Sequence, residues 1–216
     1  MFYKKNFFND LLLSADQRNI SLLVMLDLSA AFDTIDHSIL LNRLQCDFGF
    51  DGIVLKWFHS YLTNRTQSVS IKNTLSSTQR LSFGVPQGSV LGPILYTLYT
   101  TPLGAIIRNY NLSYHMYADD TQLYMSVEPS KISSLVSNME ACVNSVKDWM
   151  LTNRLKLNDD KTEILFINPR EHECPSTYTS LKIGNEEIQF SNSAKNLGVT
   201  ISDKLCMNNY ITNVCR

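Results

Sequence analysis

Asp119 and Asp120 are adjacent, and they stand in a charge-poor part of this 216-residue chain. Over residues 81–129 the only other charges are Arg108 and Glu128. A third carboxylate, Asp27, closes the apolar run Ser21-Leu22-Leu23-Val24-Met25-Leu26. Three carboxylates brought to one place repel each other unless a cation lies among them. Hard oxygen donors of this kind select Mg²⁺ or Mn²⁺, and Mg²⁺ characteristically combines one or two carboxylates with substrate phosphates. Two such ions about 3.5–4 Å apart stabilise the attacking and leaving oxygens of an in-line phosphoryl displacement. The same residues also have a plainer reading. Asp-Asp is ordinary turn chemistry, and Asp27 is equally suited to open a helix.

The elements around these residues decide whether the carboxylates can meet. Apolar clustering predicts a helix over 6–17, and the run at 21–28 reads as a buried strand. Asp36 offers a cap for a helix reaching about Cys46, and Asp33 and His37 are read with it as helix-entry residues. A second amphipathic helix is expected over 53–62. Alternation at 67–71 suggests a strand that pairs with 79–83. Residues 89–107 read as one buried helix behind a Gly/Pro-rich loop. Runs at 113–118 and 121–127 have the grammar of a hairpin with the acidic pair at its turn. A long amphipathic helix over 131–151, a strand at 163–167, a polar loop at 169–180 and short terminal strands complete the chain. With the inserted 67–83 hairpin set aside, the order is β-α-β-β-α-β. The fold class is therefore α+β, an antiparallel sheet with helices on one face. In that topology Asp27 and the hairpin tip can share one end of the sheet.

Composition narrows the function classes. Hydrophobic residues make up 44% and charged residues 18%, which excludes disorder as the dominant state. The net charge of −1 disfavours a strongly basic nucleic-acid binder. Five cysteines occur without a CxxC pair, which argues against a disulfide framework or a zinc site. A reducing location, nucleus or cytoplasm, is expected. His172-Glu173-Cys174 reads as a solvated loop. Asn9 and Asp10 interrupt any signal-peptide core. The uncharged stretch 81–107 is broken by Pro86, Pro93 and Pro102 and by several glycines, so no membrane span is expected.

Longer motifs surround the aspartates. Tyr117-Ala118-Asp119-Asp120 resembles the Y-A-D-D box of reverse transcriptases. Asp27-Leu28-Ser29-Ala30-Ala31-Phe32-Asp33-Thr34-Ile35-Asp36-His37 resembles their first palm motif. Gly84-Val85-Pro86-Gln87-Gly88-Ser89-Val90-Leu91-Gly92-Pro93 resembles the loop-and-helix motif that follows. Leu157-Asn158 through Lys161-Thr162-Glu163 resembles the lysine motif, and Leu197-Gly198-Val199 the primer-grip region. All five stand in family order across about residues 20–205. Trp57-Phe58 with Ser60-Tyr61-Leu62, Asn64-Arg65 and the Thr121-Gln122 pair after the aspartates resemble the LINE-type class, which lacks long terminal repeats.

The resemblance implies a polymerase palm and a set of roles. Asp27, Asp119 and Asp120, with the backbone carbonyl of Leu28, would bind two Mg²⁺ ions, or Mn²⁺. Phe32 would be the steric gate that favours deoxynucleotides. Ala31, Pro86, Gln87, Gly88 and Tyr117 would line the nucleotide site, and Lys161 would serve the leaving pyrophosphate as acid or charge partner. Leu197, Gly198 and Val199 would hold the primer. The implied partners are an RNA template, a DNA primer and deoxynucleoside triphosphates; protein partners stay unknown at this point. Ordinary alternatives stand beside these roles: a core Phe32, a simple turn at Gln87-Gly88, a solvated Lys161.

The expected organisation is an N-terminal helix over 1–20 as a remnant of fingers. A palm follows over 21–168, with inserted helices and hairpin at about 50–83. Residues 169–216 would form the palm end and primer-grip region, leading into a thumb. Upstream basic motifs and most of a thumb are expected to be missing, so the fragment alone is expected to be inactive or weak. The competing class is a non-catalytic remnant or a repurposed nucleic-acid- or protein-binding palm. An RNA-directed RNA polymerase is disfavoured by Phe32 and by Ala118.

Overall fold

The computed structural model describes residues 7–168, 178–206 and Ile211. Its elements in chain order are α1 (Phe7–Asp16), β1 (Ile20–Leu26), α2 (His37–Cys46), α3 (Gly52–Leu62), β2 (Arg65–Gln67), β3 (Ser70–Ile71), β4 (Thr74–Leu75), β5 (Gln79–Leu81), α4 (Leu91–Thr100), α5 (Leu103–Asn109), β6 (Ser113–Tyr117), β7 (Asp120–Val127), α6 (Ile132–Thr152), β8 (Glu163–Ile167), β9 (Ser180–Ile183), β10 (Glu186–Gln189), β11 (Ser193–Asn196) and β12 (Val199–Ser202). They form two compact units. One comprises Met1–Leu28, Gly104–Asp148 and Leu157–Arg216; the other comprises Ser29–Leu103 and Trp149–Lys156.

The first unit is built on a four-stranded sheet in the order β6-β7-β1-β8, antiparallel throughout. This is the expected split β-α-β-β-α-β order, with the first strand central. Every residue of β1 is buried, as its apolar run from Leu22 requires, and the one polar member, Ser21, pairs its hydroxyl with that of Ser126 at 2.7 Å. Leu22, Leu23 and Val24 are fully enclosed; each such side chain contributes about 1.5–3 kcal/mol by leaving water. The face carrying Leu23 and Met25 packs on Leu11 of α1 and on Ala194 and Ile201 of the β11–β12 hairpin. Tyr124 of β7 joins that cluster, and its hydroxyl donates to Asp10 of α1 at 2.7 Å.

In the second unit, Asp36 caps α2 by accepting from the backbone of Ser38 at 2.8 Å and Ile39 at 3.0 Å. Arg43 of α2 donates to the Tyr99 carbonyl and to Asn153 Oδ1, and its guanidinium lies over the rings of Tyr99 and Trp149. The Tyr99 hydroxyl donates to the Asn153 carbonyl at 2.6 Å. This polar knot binds α2, α4 and the segment after α6 together. On α3, Trp57 stacks on Tyr61 while Ile53, Val54 and Trp57 stay exposed.

Several expectations need correction. Residues 89–107 form two helices, α4 and α5, separated at Thr101-Pro102. Pro102 has no N–H to continue the ladder of α4, and its ring crowds the preceding turn. The expected strand at 67–71 is two short pieces, β2 paired with β5 and β3 paired with β4. Asp33 caps nothing; it faces Gln87. The middle of the expected polar loop (169–177), including His172-Glu173-Cys174, and residues 207–210 and 212–216 of the terminal segment lie outside the described residues. No described helix is long and apolar enough to cross a membrane.

Candidate active site

The register of β1 and β7 positions the first two carboxylates. Leu26 pairs with Thr121 and Met25 with Gln122. Extending an antiparallel register by one residue places Asp27 across from Asp120. On the other side of β7, Tyr117 pairs with Asp120, so Ala118 and Asp119 form a two-residue hairpin loop. Ala118 has φ 51°, a left-handed conformation that an L-residue enters only at a cost of about 1–2 kcal/mol. The turn thus presents Asp119 beside Asp120 at the end of the sheet where β1 delivers Asp27.

Burial, and after it the charges of Asp119 and Asp27, hold the Asp120 carboxyl above the usual carboxylate range. Asp120 therefore senses Asp119 and Asp27 as like charges. Asp27 has two further partners. Lys161 Nζ stands 3.5 Å from Asp27 Oδ2, and Asn158 Nδ2 donates to the same oxygen at 3.4 Å. The Asn158 amide also donates to the Asp27 carbonyl at 3.0 Å, and Leu28 bridges Leu157. The lysine motif is thus clamped to the end of β1. Lys161 is two-thirds exposed, so its ion pair with Asp27 adds little to stability.

These residues open on a cleft of about 370 Å³ lined by Asp27, Asp120, Gln122, Lys161, Lys195 and Asn196, among others. Among the described residues no three His, Cys, Asp or Glu side chains form a ready-made metal cage. The donor set still fits a divalent cation. Its oxygens are hard, Asp120 carries unrelieved repulsion, and Mg²⁺ needs only one or two carboxylates when phosphates complete its shell.

Gln122 and Asn196 carry no role in the sequence motifs. Gln122 is almost fully buried, and its Nε2 donates to Asn196 Oδ1 at 2.6 Å, tying β7 to the β11–β12 hairpin. Its Oε1 is buried and has no partner among the described residues. The one signal in the sequence was a polar residue on the inward phase of a strand. Leu197 and Gly198 form the turn of that hairpin, with φ 45° and 86°, and Val199 begins β12.

The remaining expected residues lie in the second unit, except Tyr117, which is exposed at the end of β6. Ala31 is buried, and half-buried Phe32 packs on Tyr96 with ring centroids 4.9 Å apart. The segment 32–37 holds the loop 83–88 at several points. Val85 donates to the Phe32 carbonyl at 2.9 Å, and Gly84 donates to the Ile35 carbonyl at 2.8 Å. His37 Nε2 donates to the Gly84 carbonyl at 2.8 Å, since a carbonyl can only accept. Gln87 Nε2 donates to Asp33 Oδ1 at 2.8 Å. Gly84 sits so close that a Cβ there would lie 2.9 Å from the Asp33 carbonyl oxygen. Gly88, with φ 77°, has open space where a Cβ would be. The Pro86 carbonyl accepts from the Ser89 hydroxyl at 2.7 Å, closing the turn that leads into α4.

Comparison with known proteins bears on the family and the fold. Residues 5–201 match the family described as reverse transcriptase (RNA-dependent DNA polymerase). The chain is 29% identical over 196 residues to the RNA-directed DNA polymerase from mobile element jockey of Drosophila melanogaster, covering 88% of this chain. It is 28% identical over 197 residues to the probable RNA-directed DNA polymerase from transposon BS of the same organism, covering 84% of this chain. The chain spans 20% of the length of each of these relatives. In fold it is similar to apo telomerase from Candida tropicalis truncated from its C-terminal domain. That match has a TM-score of 0.64 at 16% identity, covering 93% of this chain and 38% of the other. The antiparallel sheet, the acidic hairpin at its end and a family match over residues 5–201 lead to one assignment: the chain belongs to the reverse transcriptase family.

Proposed function

We propose that this chain is the palm of an RNA-directed DNA polymerase. The reaction joins the 3′-hydroxyl oxygen of a DNA primer to the α-phosphorus of a deoxynucleoside triphosphate paired with an RNA template. The bond from that phosphorus to the bridging oxygen breaks, pyrophosphate leaves, and the hydroxyl proton is lost to solvent. The observation that carries the reading is the register that places Asp27 opposite Asp120, with Asp119 beside it in the hairpin loop.

Asp27, Asp119 and Asp120, with the Leu28 carbonyl, would hold two Mg²⁺ ions, which supply charge stabilisation to the attacking and leaving oxygens. Mn²⁺ has the same preference for oxygen donors and would substitute. Lys161, near Asp27 and largely exposed, is free to neutralise departing phosphate charge. Phe32 beneath the sugar leaves no room and no partner for a 2′-hydroxyl. Ala31, Pro86, Gln87, Gly88 and Tyr117 line the nucleotide site; Gly88 permits close approach of backbone to substrate. Leu197, Gly198 and Val199 hold the primer terminus, steadied by the bond between Asn196 and Gln122. Most of the catalytic effect in this scheme is positioning and charge neutralisation.

Primer extension on an RNA template with Mg²⁺ and deoxynucleotides tests this. Template-dependent extension by the wild type and its loss in Asp119→Ala support the assignment. Equal extension by the two proteins contradicts it. Tight binding of template–primer without extension assigns the chain to the non-catalytic class.

A further inference from the structure

We infer that Asp33 is a positioning residue that fixes the side-chain amide of Gln87 with its carbonyl oxygen turned outward. The inference rests on the nucleotide-site role proposed for Gln87. The chemistry is one-sided: an ionised carboxylate accepts hydrogen bonds and cannot donate them. Gln87 therefore turns its NH₂ toward Asp33 Oδ1, at 2.8 Å, and its Oε1 points away. Both side chains are exposed, so the bond alone would be weak. The backbones that carry them are not free to separate. Phe32 and Val85, Ile35 and Gly84, and His37 and Gly84 are joined by hydrogen bonds of 2.8–2.9 Å two and three residues before Gln87 on the loop. A Cβ added at Gly84 would lie 2.9 Å from the Asp33 carbonyl oxygen, so only glycine fits against the Asp33 backbone there. Asp36, three residues on, is committed to the cap of α2, so Asp33 is left for the loop.

Gln87 thus presents an acceptor to whatever occupies the space in front of the loop. An acceptor there suits a ligand with a hydroxyl or amino donor, such as the sugar hydroxyl of a nucleotide. Without Asp33, the amide can rotate and present either end.

Two measurements decide this. In ¹⁵N-glutamine-labelled protein, the Gln87 NH₂ signals should exchange slowly with solvent and lie apart from those of free glutamine. In Asp33→Ala they should move to the free position, while Gln17 and Gln45 stay unchanged. Gln87 signals that are identical in the two proteins overturn the pairing, whether or not the chain extends primers. The second measurement is a double-mutant cycle on the extension reaction. Asp33→Ala and Gln87→Met should each raise the KM for deoxynucleotide about fivefold, the worth of one hydrogen bond, with kcat little changed. The double variant should be no worse than Gln87→Met alone. Additive losses, or an Asp33→Ala loss that persists in full in the Gln87→Met background, show that Asp33 acts without Gln87. A wild type that extends nothing defeats the proposed function, and the glutamine spectrum still decides the pairing.

Discussion

Replacing Gly84 by alanine should be far more damaging to stability than replacing Gly88, although the two stand in one loop and both have positive φ. Gly84 has φ 84°, and an alanine there enters the left-handed region at a cost of about 1–2 kcal/mol. Its Cβ would also lie 2.9 Å from the Asp33 carbonyl oxygen and 3.1 Å from that of Phe32. Those are backbone atoms, so the relief must come from shifting segment 32–33 or the loop, at about 1–3 kcal/mol. Reduced freedom of the unfolded chain returns about 0.4–1 kcal/mol. The net expectation for Gly84→Ala is a loss of about 2–4 kcal/mol. Gly88→Ala has the same backbone strain but meets no atom within 4 Å, so its net loss should be about 1 kcal/mol. Urea unfolding followed by far-ultraviolet circular dichroism measures both. Gly88→Ala should instead show itself in catalysis, as a raised KM for nucleotide in a protein of near-normal stability. A Gly84→Ala protein within 0.5 kcal/mol of wild type would refute the reasoning, as would a Gly88→Ala protein that is the less stable of the two.

Other consequences follow from particular groups. Because burial and its acidic neighbours raise Asp120 above the ordinary carboxylate range, its charged form opposes folding near neutral pH, and protonation relieves this as pH falls. Asp120→Asn should therefore raise the melting temperature in chelator, and should lose most of the stabilisation that Mg²⁺ gives the wild type. Burial pushes the Cys142 thiol up to about 11 from its ordinary 9.0. The unfolded chain ionises first, so stability should be full below pH 9 and fall by about 3 kcal/mol as pH rises toward 11. Cys142→Ala should flatten that alkaline decline in pH-dependent urea titrations. Tyr99→Phe should cost about 1–3 kcal/mol, because the enclosed Asn153 carbonyl loses the hydroxyl that it accepts from at 2.6 Å; calorimetry against wild type measures it.

What could be read from the residue order depended on range. Strand β1 and the β6–β7 hairpin declare themselves through an apolar run and a turn. Together with the split β-α-β-β-α-β order they bring Asp27 to Asp120. The cap by Asp36 is equally local, since a side chain serves amides two and three residues ahead. The break at Pro102 was visible in composition, but the helical apolar spacing on both sides of it suggested one helix. Asp33 and Asp36 look interchangeable as cap residues; only the approach of the 84–88 loop, 54 residues away, separates their roles. The Gln122–Asn196 bond spans 74 residues and had no local signature beyond a buried-phase glutamine. Lys161 was expected through the family motif, whereas its position beside Asp27 follows from the Leu28–Leu157 bridge and the Asn158 contacts.

In the proposed reaction Asp27, Asp119 and Asp120 together hold the divalent ions that promote transfer of a nucleotide to the primer 3′-hydroxyl. Titration of Mn²⁺ by electron paramagnetic resonance, with a deoxynucleoside triphosphate and template–primer present, tests it most directly. The account predicts saturable Mn²⁺ binding by the wild type, weakened at least tenfold by Asp120→Asn with the fold intact. Mn²⁺ affinity unchanged by Asp120→Asn and by Asp27→Asn would contradict it.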